Sequence, residues 1–209
     1  MSTPRERAIE IMRINYQVAD VIRPDDLEYS AAAARLMGMC WAHESAAGKY
    51  HRQKLRGGGE YSKNLGAWGV FQMEVSATER VSQYLDRRPS VSARVDEYLR
   101  NTPDGLIGVI DWGAGTGARV EDADPYLLLR LFAISKSIAA VYARIYWLFD
   151  PNPIPVDPGQ MAIRAKAHWN TDAGKATPGD YLEAYNEHIA PLDPKLWRQP
   201  FVCEHKTEG

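Results

Sequence analysis

DLEYSAAAARLMGMCWAHESAA, residues 26–47, is the stretch that decides the fold class. Asp26 supplies an N-cap signal, and the alanine-rich run after it predicts a long helix from about residue 27 to residue 47. Apolar side chains recur along this run at helical spacing, which is typical of a helix that lies inside a domain. The residues predicted to be buried are Ala32, Leu36, Met39 and Cys40.

Helical patterns also dominate the rest of the chain. A glycine-loaded segment at 57–69 predicts a loop, and prolines between 151 and 158 predict a stiff connection. The best strand candidate, residues 106–110, has no second alternating run to pair with. We therefore predict an all-α protein of about seven to nine helices. The further helices are expected at 4–22, 74–86, 90–101, 124–149, 158–168 and 178–188.

The chain length of 209 residues suits one domain with a buried core. We expect a single domain over residues 1–209, with its core at about 26–190. The N-terminal helix at 4–22 and the C-terminal tail at 191–209 are interpreted as additions to that core.

Composition excludes several function classes. The hydrophobic fraction of 45% is that of a globular protein, and the net charge of −2 offers no positive field for nucleic acid. The apolar stretch at 138–149 contains Arg144 and is too short to span a bilayer, so no membrane insertion is expected. Cys40 is predicted to be a free buried thiol. Scattered histidines and two cysteines predict no metal site, and no cofactor is expected.

The chemistry is expected in two segments, His43-Glu44-Ser45 and GAWGVFQME at 66–74. Glu44 lies near the end of the buried helix, where an apolar wall disfavours the charged form of a carboxyl group and suits it to general acid catalysis. Glycines in the second segment allow backbone to approach a bulky ligand. The side chains expected to contact a sugar there are Trp68, Phe71 and Gln72, beside Gly69.

These two segments resemble the halves of the soluble lytic transglycosylase motif, a helix-borne Glu-Ser followed by Gly-Ala-x-Gly-Leu-Met/Phe-Gln. A third segment, AHWNTDAGKAT at 167–177, is similar to a His-Tyr-Asn-Thr-x-x-Gly-Lys-Gly-Thr block in transglycosylase-like phage proteins. Arg52-Gln53 and the glycine run at 57–59 also match those phage proteins. The resemblance covers about 35 to 40 residues in the three blocks and extends loosely over 30–190.

The resemblance implies a lysozyme-like fold with a glycine-rich loop over the cleft. It implies that Glu44 acts as acid and then base on the bond between N-acetylmuramic acid and N-acetylglucosamine in peptidoglycan. Ser45 and Gln72 would hold substrate or orient the glutamate, and Asn170 would line the cleft. Trp169 stands where the family usually has a tyrosine whose hydroxyl contacts the catalytic carboxyl. Ala184-Tyr185-Asn186 also matches part of that motif but lacks its glycine, so 168–170 is favoured.

Three alternatives remain open. Glu60 or Glu74 is a candidate second carboxylate, which would make the enzyme a muramidase that hydrolyses the same bond. VIDWGAGTG at 109–117 is similar to the glycine-rich loop of S-adenosylmethionine-dependent methyltransferases, but the strands that such a domain needs are not found downstream. A non-catalytic glycan-binding protein is the third alternative.

The biological setting is inferred from the same resemblance. A lytic enzyme whose N-terminus is polar and lacks a signal core suggests a phage or prophage product. We expect it to act on the cell wall in the periplasm, delivered by the virion or by lysis machinery. Other virion proteins are candidate partners.

Overall fold

A computed structural model describes residues 2–23, 26–49, 67, 69–102, 131–170 and 175–199. This part of the chain is helical and contains no β-strand, so the all-α prediction is confirmed for it. Residues 131–134 are helical. The longer helices are α1 (Pro4–Ile22), α2 (Leu27–Glu44), α3 (Val75–Asp86), α4 (Pro89–Arg100), α5 (Lys136–Trp147), α6 (Pro158–Trp169) and α7 (Pro178–His188), followed by a 3-10 turn (Pro194–Leu196).

The first two helices begin at side chains that cap them. Thr3 accepts a hydrogen bond from the Glu6 amide at 3.2 Å, and Glu6 Oε2 accepts one from the Thr3 amide at 2.7 Å, which forms a capping box. Asp26 accepts from the Tyr29 amide at 3.0 Å, so the predicted N-cap of α2 is confirmed.

Helix α2 lies at the centre of the core. It packs along α1 over most of its length and also contacts α5, α6 and α7. Gly38 allows the close approach to α1, because a methyl group at this position would lie 2.4 Å from Met12 Sδ. The predicted core positions of α2 and the free thiol of Cys40 are all buried, which confirms both predictions.

A break at Ser135 divides the helix that the sequence predicts over 124–149. Ser135 has an extended backbone, and its hydroxyl accepts a hydrogen bond from the Ile138 amide at 3.1 Å. A serine side chain that replaces the intrahelical acceptor in this way starts a new helix. The single long helix was therefore wrong within the described part, and α5 begins at Lys136.

Arg144 lies inside the core although it was interpreted as an interruption of the apolar run. Its Nη2 donates to the Tyr29 hydroxyl at 2.6 Å, and its guanidinium lies 5.0 Å from the centre of the Tyr29 ring. Burial lowers the pKa of Arg144, and the Tyr29 hydroxyl opposes that shift.

None of the described helices is long and apolar enough to cross a membrane.

Both segments interpreted as additions contribute to the core. Helix α1 buries Ile11, Val18 and Ile22 against α2 and α5. Trp197, in the tail, is buried with its ring edge against Tyr16, 6.0 Å between ring centres. One hydrophobic core therefore extends from α1 to the 3-10 turn in the described residues.

Candidate active site

Glu44 is the last residue of α2 and is half-buried. Its helix turn is anchored by Ser45, whose hydroxyl donates to the Trp41 carbonyl oxygen at 2.6 Å and accepts from the Gly48 amide at 2.9 Å. Ser45 has no exposed surface. Its hydroxyl is thus used by the local turn, a geometry that fits the role of orienting Glu44 and not that of contacting a substrate.

The chain leaves Glu44 through three consecutive left-handed residues, Ala46 (φ 47°), Ala47 (φ 53°) and Gly48 (φ 77°). The left-handed conformation costs an alanine roughly 1 kcal/mol or more because its Cβ approaches the following carbonyl oxygen. The Ala47 carbonyl oxygen accepts a hydrogen bond from Arg7 Nε at 3.1 Å, which ties the turn to α1. This turn ends α2 three residues before the predicted end and fixes the glutamate at the helix terminus.

Tyr181 is the direct partner of Glu44. It lies in the first turn of α7, and its hydroxyl donates a hydrogen bond to Glu44 Oε1. The phenol is fully buried and its ring lies over His43, with 4.2 Å between the ring centres. Burial raises the pKa of Tyr181 well above its ordinary value, and the neighbouring Cys40 and Glu44 raise it further. Tyr181 therefore keeps its proton and acts as a donor to the carboxylate.

Asn170, just past the end of α6, lies beside Tyr181. Its side chain lowers the pKa of that phenol, opposing the larger effect of burial. Lys166 Nζ lies 3.3 Å from the Asn170 carbonyl oxygen and 3.4 Å from its Oδ1. Asn170 is thus held by Lys166 and neighbours the phenol that donates to Glu44.

The turn at 69–72 requires glycine at its first position. Gly69 has a φ of 75°, and a methyl group there would lie 2.7 Å from Phe132 Cβ and 2.8 Å from the Phe132 carbonyl oxygen. Gln72 is also left-handed, with a φ of 51°, and its Nε2 donates to the Gly69 carbonyl oxygen at 2.7 Å. The glutamine amide therefore closes its own turn. The sequence suggested that glycine here lets the backbone approach a ligand. In the structure, Gly69 instead lets the backbone pack closely against Phe132.

Phe71 and Trp169 join this turn to the end of α6. Phe71 is completely buried, and its ring edge meets Trp169 with 6.3 Å between ring centres. Trp169 Nε1 donates to the Phe71 carbonyl oxygen at 3.2 Å, and its ring stacks on Trp147 at 5.8 Å. Phe71 is a core residue, which corrects its expected role as a sugar-facing ring. Trp169 uses its only donor on this backbone oxygen, so the hydroxyl beside Glu44 comes from Tyr181 instead.

The other sequence-derived candidates lie elsewhere. Glu74 is exposed at the N-cap of α3, in agreement with its interpretation as a helix N-terminal residue. Trp68, Glu60 and the methyltransferase-like stretch 109–117 lie outside the described residues. Burial raises the pKa of Tyr185, and the neighbouring Arg35 charge opposes that shift.

Sequence reasoning missed Tyr181 as a site residue. Its only signal was the Thr177-Pro178-Gly179-Asp180 helix start, in which Thr177 and Asp180 form a capping box. A tyrosine one residue after such a box lies at a fixed place in the first turn of a helix. The partner that this turn faces depends on tertiary packing, which local sequence does not encode.

Comparison with known proteins adds no family to this geometry. No family model, curated protein or solved structure matches the chain. Among the described residues, no group of three His, Cys, Asp or Glu side chains is placed to hold a metal ion. What the arrangement offers is a half-buried carboxyl group with a phenol donor on one oxygen, which is suited to proton transfer through the other.

Proposed function

We propose that the chain is a peptidoglycan lytic transglycosylase of lysozyme-like fold, with Glu44 as its acid and then its base. The observation that carries this proposal is the hydrogen bond from Tyr181 to Glu44. It supplies the phenol–carboxyl contact that the motif resemblance requires and that Trp169 does not provide.

The convergence of the three motif segments supports the same proposal. Tyr181 donates to Glu44 and has Asn170 near enough to lower its pKa, and Trp169 is hydrogen-bonded to the Gly69–Gln72 turn through the Phe71 carbonyl oxygen. Segments separated by up to 126 residues in sequence thus lie at neighbouring positions, as a shared site demands.

The proposed reaction needs one carboxyl group. Protonated Glu44 gives its proton to the glycosidic oxygen, and the bond from that oxygen to C1 of N-acetylmuramic acid breaks. The resulting carboxylate then takes the proton from the 6-hydroxyl of the same sugar as its oxygen bonds to C1, which yields a 1,6-anhydro product. Tyr181 donates to Oε1 and so stabilises the carboxylate formed between the two steps. Oε2 is the oxygen that gives up the proton in the first step and takes one in the second.

Two described carboxylates that could have served a muramidase have other environments. Asp180 Oδ2 accepts hydrogen bonds from the Thr177 amide at 2.6 Å and hydroxyl at 2.8 Å. Glu74 is exposed at the start of α3. Each of these two carboxylates lies at a helix start, and the proposed reaction gives neither of them a role.

The two remaining alternatives receive less support. A methyltransferase domain of the expected kind is built on a parallel sheet, whereas the described ranges contain helices only. A non-catalytic sugar binder has no need for a phenol that holds a half-buried glutamate at a strained helix end. We therefore favour the enzyme.

The product of cell-wall digestion tests the proposal. Purified sacculi are digested with the full chain, and the released muropeptides are analysed by mass spectrometry. We expect 1,6-anhydro ends, each 18 Da lighter than the hydrolysed product because no water is added. Reducing ends would instead identify a muramidase, and release of no muropeptide would contradict both. Glu74→Gln and Asp180→Asn serve as controls and are expected to leave the product type unchanged.

A further inference from the structure

A groove lies on the outer face of α6. It has a volume of about 600 Å³ and is bounded on one side by the connection at 150–155. The α6 side chains that line it are spaced as one helical face, opposite to the side on which Trp169 packs. This groove, which we call the proline groove, is formed on that face by Gln160, Ile163, Arg164 and Ala167.

The charges of the proline groove neutralise each other. Arg164 Nε lies 3.0 Å from Asp150 Oδ2, and both side chains are largely shielded, at 16% and 11% exposed. Arg164 also donates to the Pro153 carbonyl oxygen, and Asp150 accepts from the Asn152 backbone and side-chain amides at 3.1 and 2.8 Å. Because Arg164 and Asp150 are paired with each other and hydrogen-bonded within the protein, the groove presents no unpaired charge to a ligand.

The titratable groups at the end of the groove agree with this neutrality. Burial alone would raise the pKa of Asp150, but the Asn152 hydrogen bonds and the Arg164 charge outweigh it and lower the pKa. Burial lowers the pKa of His168, assisted by the charges of Arg80 and Arg164 and opposed by the Tyr146 carbonyl and Asp150. At neutral pH the histidine is therefore uncharged.

The rest of the lining combines apolar surface with an exposed amide. Ile163 is 52% exposed, and the rings of Pro151, Pro153 and Pro155 line the opposite side. Gln160 is exposed and offers both a donor and an acceptor. Prolines and the ion pair also hold the walls rigid, which reduces the entropy lost on binding.

We propose that the proline groove binds an uncharged saccharide with acetamido groups, the sugar backbone of a glycan strand, apart from the Glu44 site. The choice of a saccharide among uncharged ligands rests on the proposed function. The C–H faces of the sugar rings pack on Ile163 and the prolines, and Gln160 exchanges hydrogen bonds with an acetamido group. The groove holds a glycan strand near the enzyme without taking part in cleavage.

Methyl NMR on the full chain tests this site directly. The Glu44→Gln protein is labelled at its isoleucine methyl groups and titrated with an N-acetylglucosamine tetramer. We expect a saturable chemical-shift change at Ile163. Two control residues should not shift: Ile134, which is 66% exposed, and Ile11, which is buried. Gln160→Ala is expected to weaken this binding by roughly fivefold or more, as the loss of one hydrogen bond requires.

The outcomes separate the groove from the proposed function. The site would be overturned if the Ile163 methyl shift did not change on titration, or if Ile163 and Ile134 shifted equally. It would also be overturned if Ile163 responded to a wall stem peptide and not to the sugar. An unchanged affinity in Gln160→Ala would overturn it as well. If the wild-type chain cleaves sacculi but Ile163 of the Glu44→Gln protein does not shift, the groove alone is refuted. If Ile163 shifts but the wild-type chain cleaves nothing, the enzyme alone is refuted.

Discussion

The Tyr181 hydroxyl carries out its role through a single hydrogen bond, to a carboxyl group 137 residues earlier in the chain. A donor of this kind favours the charged carboxylate, which is the state that follows proton transfer in the proposed reaction. The same phenol is buried and packs against the tilted ring of His43, so its ring has a packing role that is separate from the role of its hydroxyl.

Tyr181→Phe separates these two roles because it keeps the ring and removes the oxygen. We expect the rate of sacculus cleavage to fall roughly 10- to 150-fold, the equivalent of a hydrogen bond to a charged group worth about 1.5–3 kcal/mol. A rate equal to that of the wild type in the folded variant would assign Tyr181 a purely structural role.

The role of a residue could be predicted from the sequence where that role depends on the residues next to it in the chain. Glu44 at the end of a buried helix follows from the apolar run before it, and Asp26 was predicted as a cap from its position alone. Tyr181 and the use of the Trp169 indole on Phe71 were not predictable, since both depend on how α6 and α7 pack against α2.

At the scale of elements, the turn at 45–48 determines where α2 ends. Alanine favours helix, and for this reason the sequence predicts that α2 continues to residue 47. The described turn instead places Ala46 and Ala47 in the left-handed region, with Ser45 bridging Trp41 and Gly48. Tertiary contacts, including the bond from Arg7 to Ala47, override the local preference of alanine.

Ala46→Gly tests this strained turn. Glycine adopts a positive φ without a Cβ penalty, so we expect the free energy of unfolding to rise by about 0.5–1 kcal/mol in urea denaturation. Ala184→Gly, within the regular helix α7, is the matched control and should lower it by about 1 kcal/mol. Destabilisation of equal size at both positions would show that Ala46 is not left-handed in solution.

The molecule as a whole has one core that includes the N-terminal helix and the start of the tail. The sequence predicted its helical class and most helix positions from apolar periodicity. It treated α1 and the tail as additions because a pattern in sequence does not show which faces meet. Trp197 against Tyr16 is a contact of that unpredictable kind.

Global stability should depend on pH through His168. Its pKa lies below the ordinary value of 6.5 mainly because of burial, so just below pH 6.5 the unfolded chain binds more protons than the folded one. The contribution to stability is complete above pH 6.5 and is lost as the pH falls toward the lowered folded pKa. Urea unfolding at pH 7.5 and 5.5 should show this loss, and His168→Gln should reduce it. An equal loss in the variant would exclude the histidine as its source.

The role of Glu44 is tested by the initial rate of anhydro-muropeptide release by the wild type, by Glu44→Gln and by Glu183→Gln. Glu183 is an exposed glutamate of α7 and serves as the matched control. We predict that Glu44→Gln lowers the rate by at least about a hundredfold, the range expected for loss of a general acid, while Glu183→Gln stays near the wild-type rate. Undiminished release by a folded Glu44→Gln protein would contradict the account.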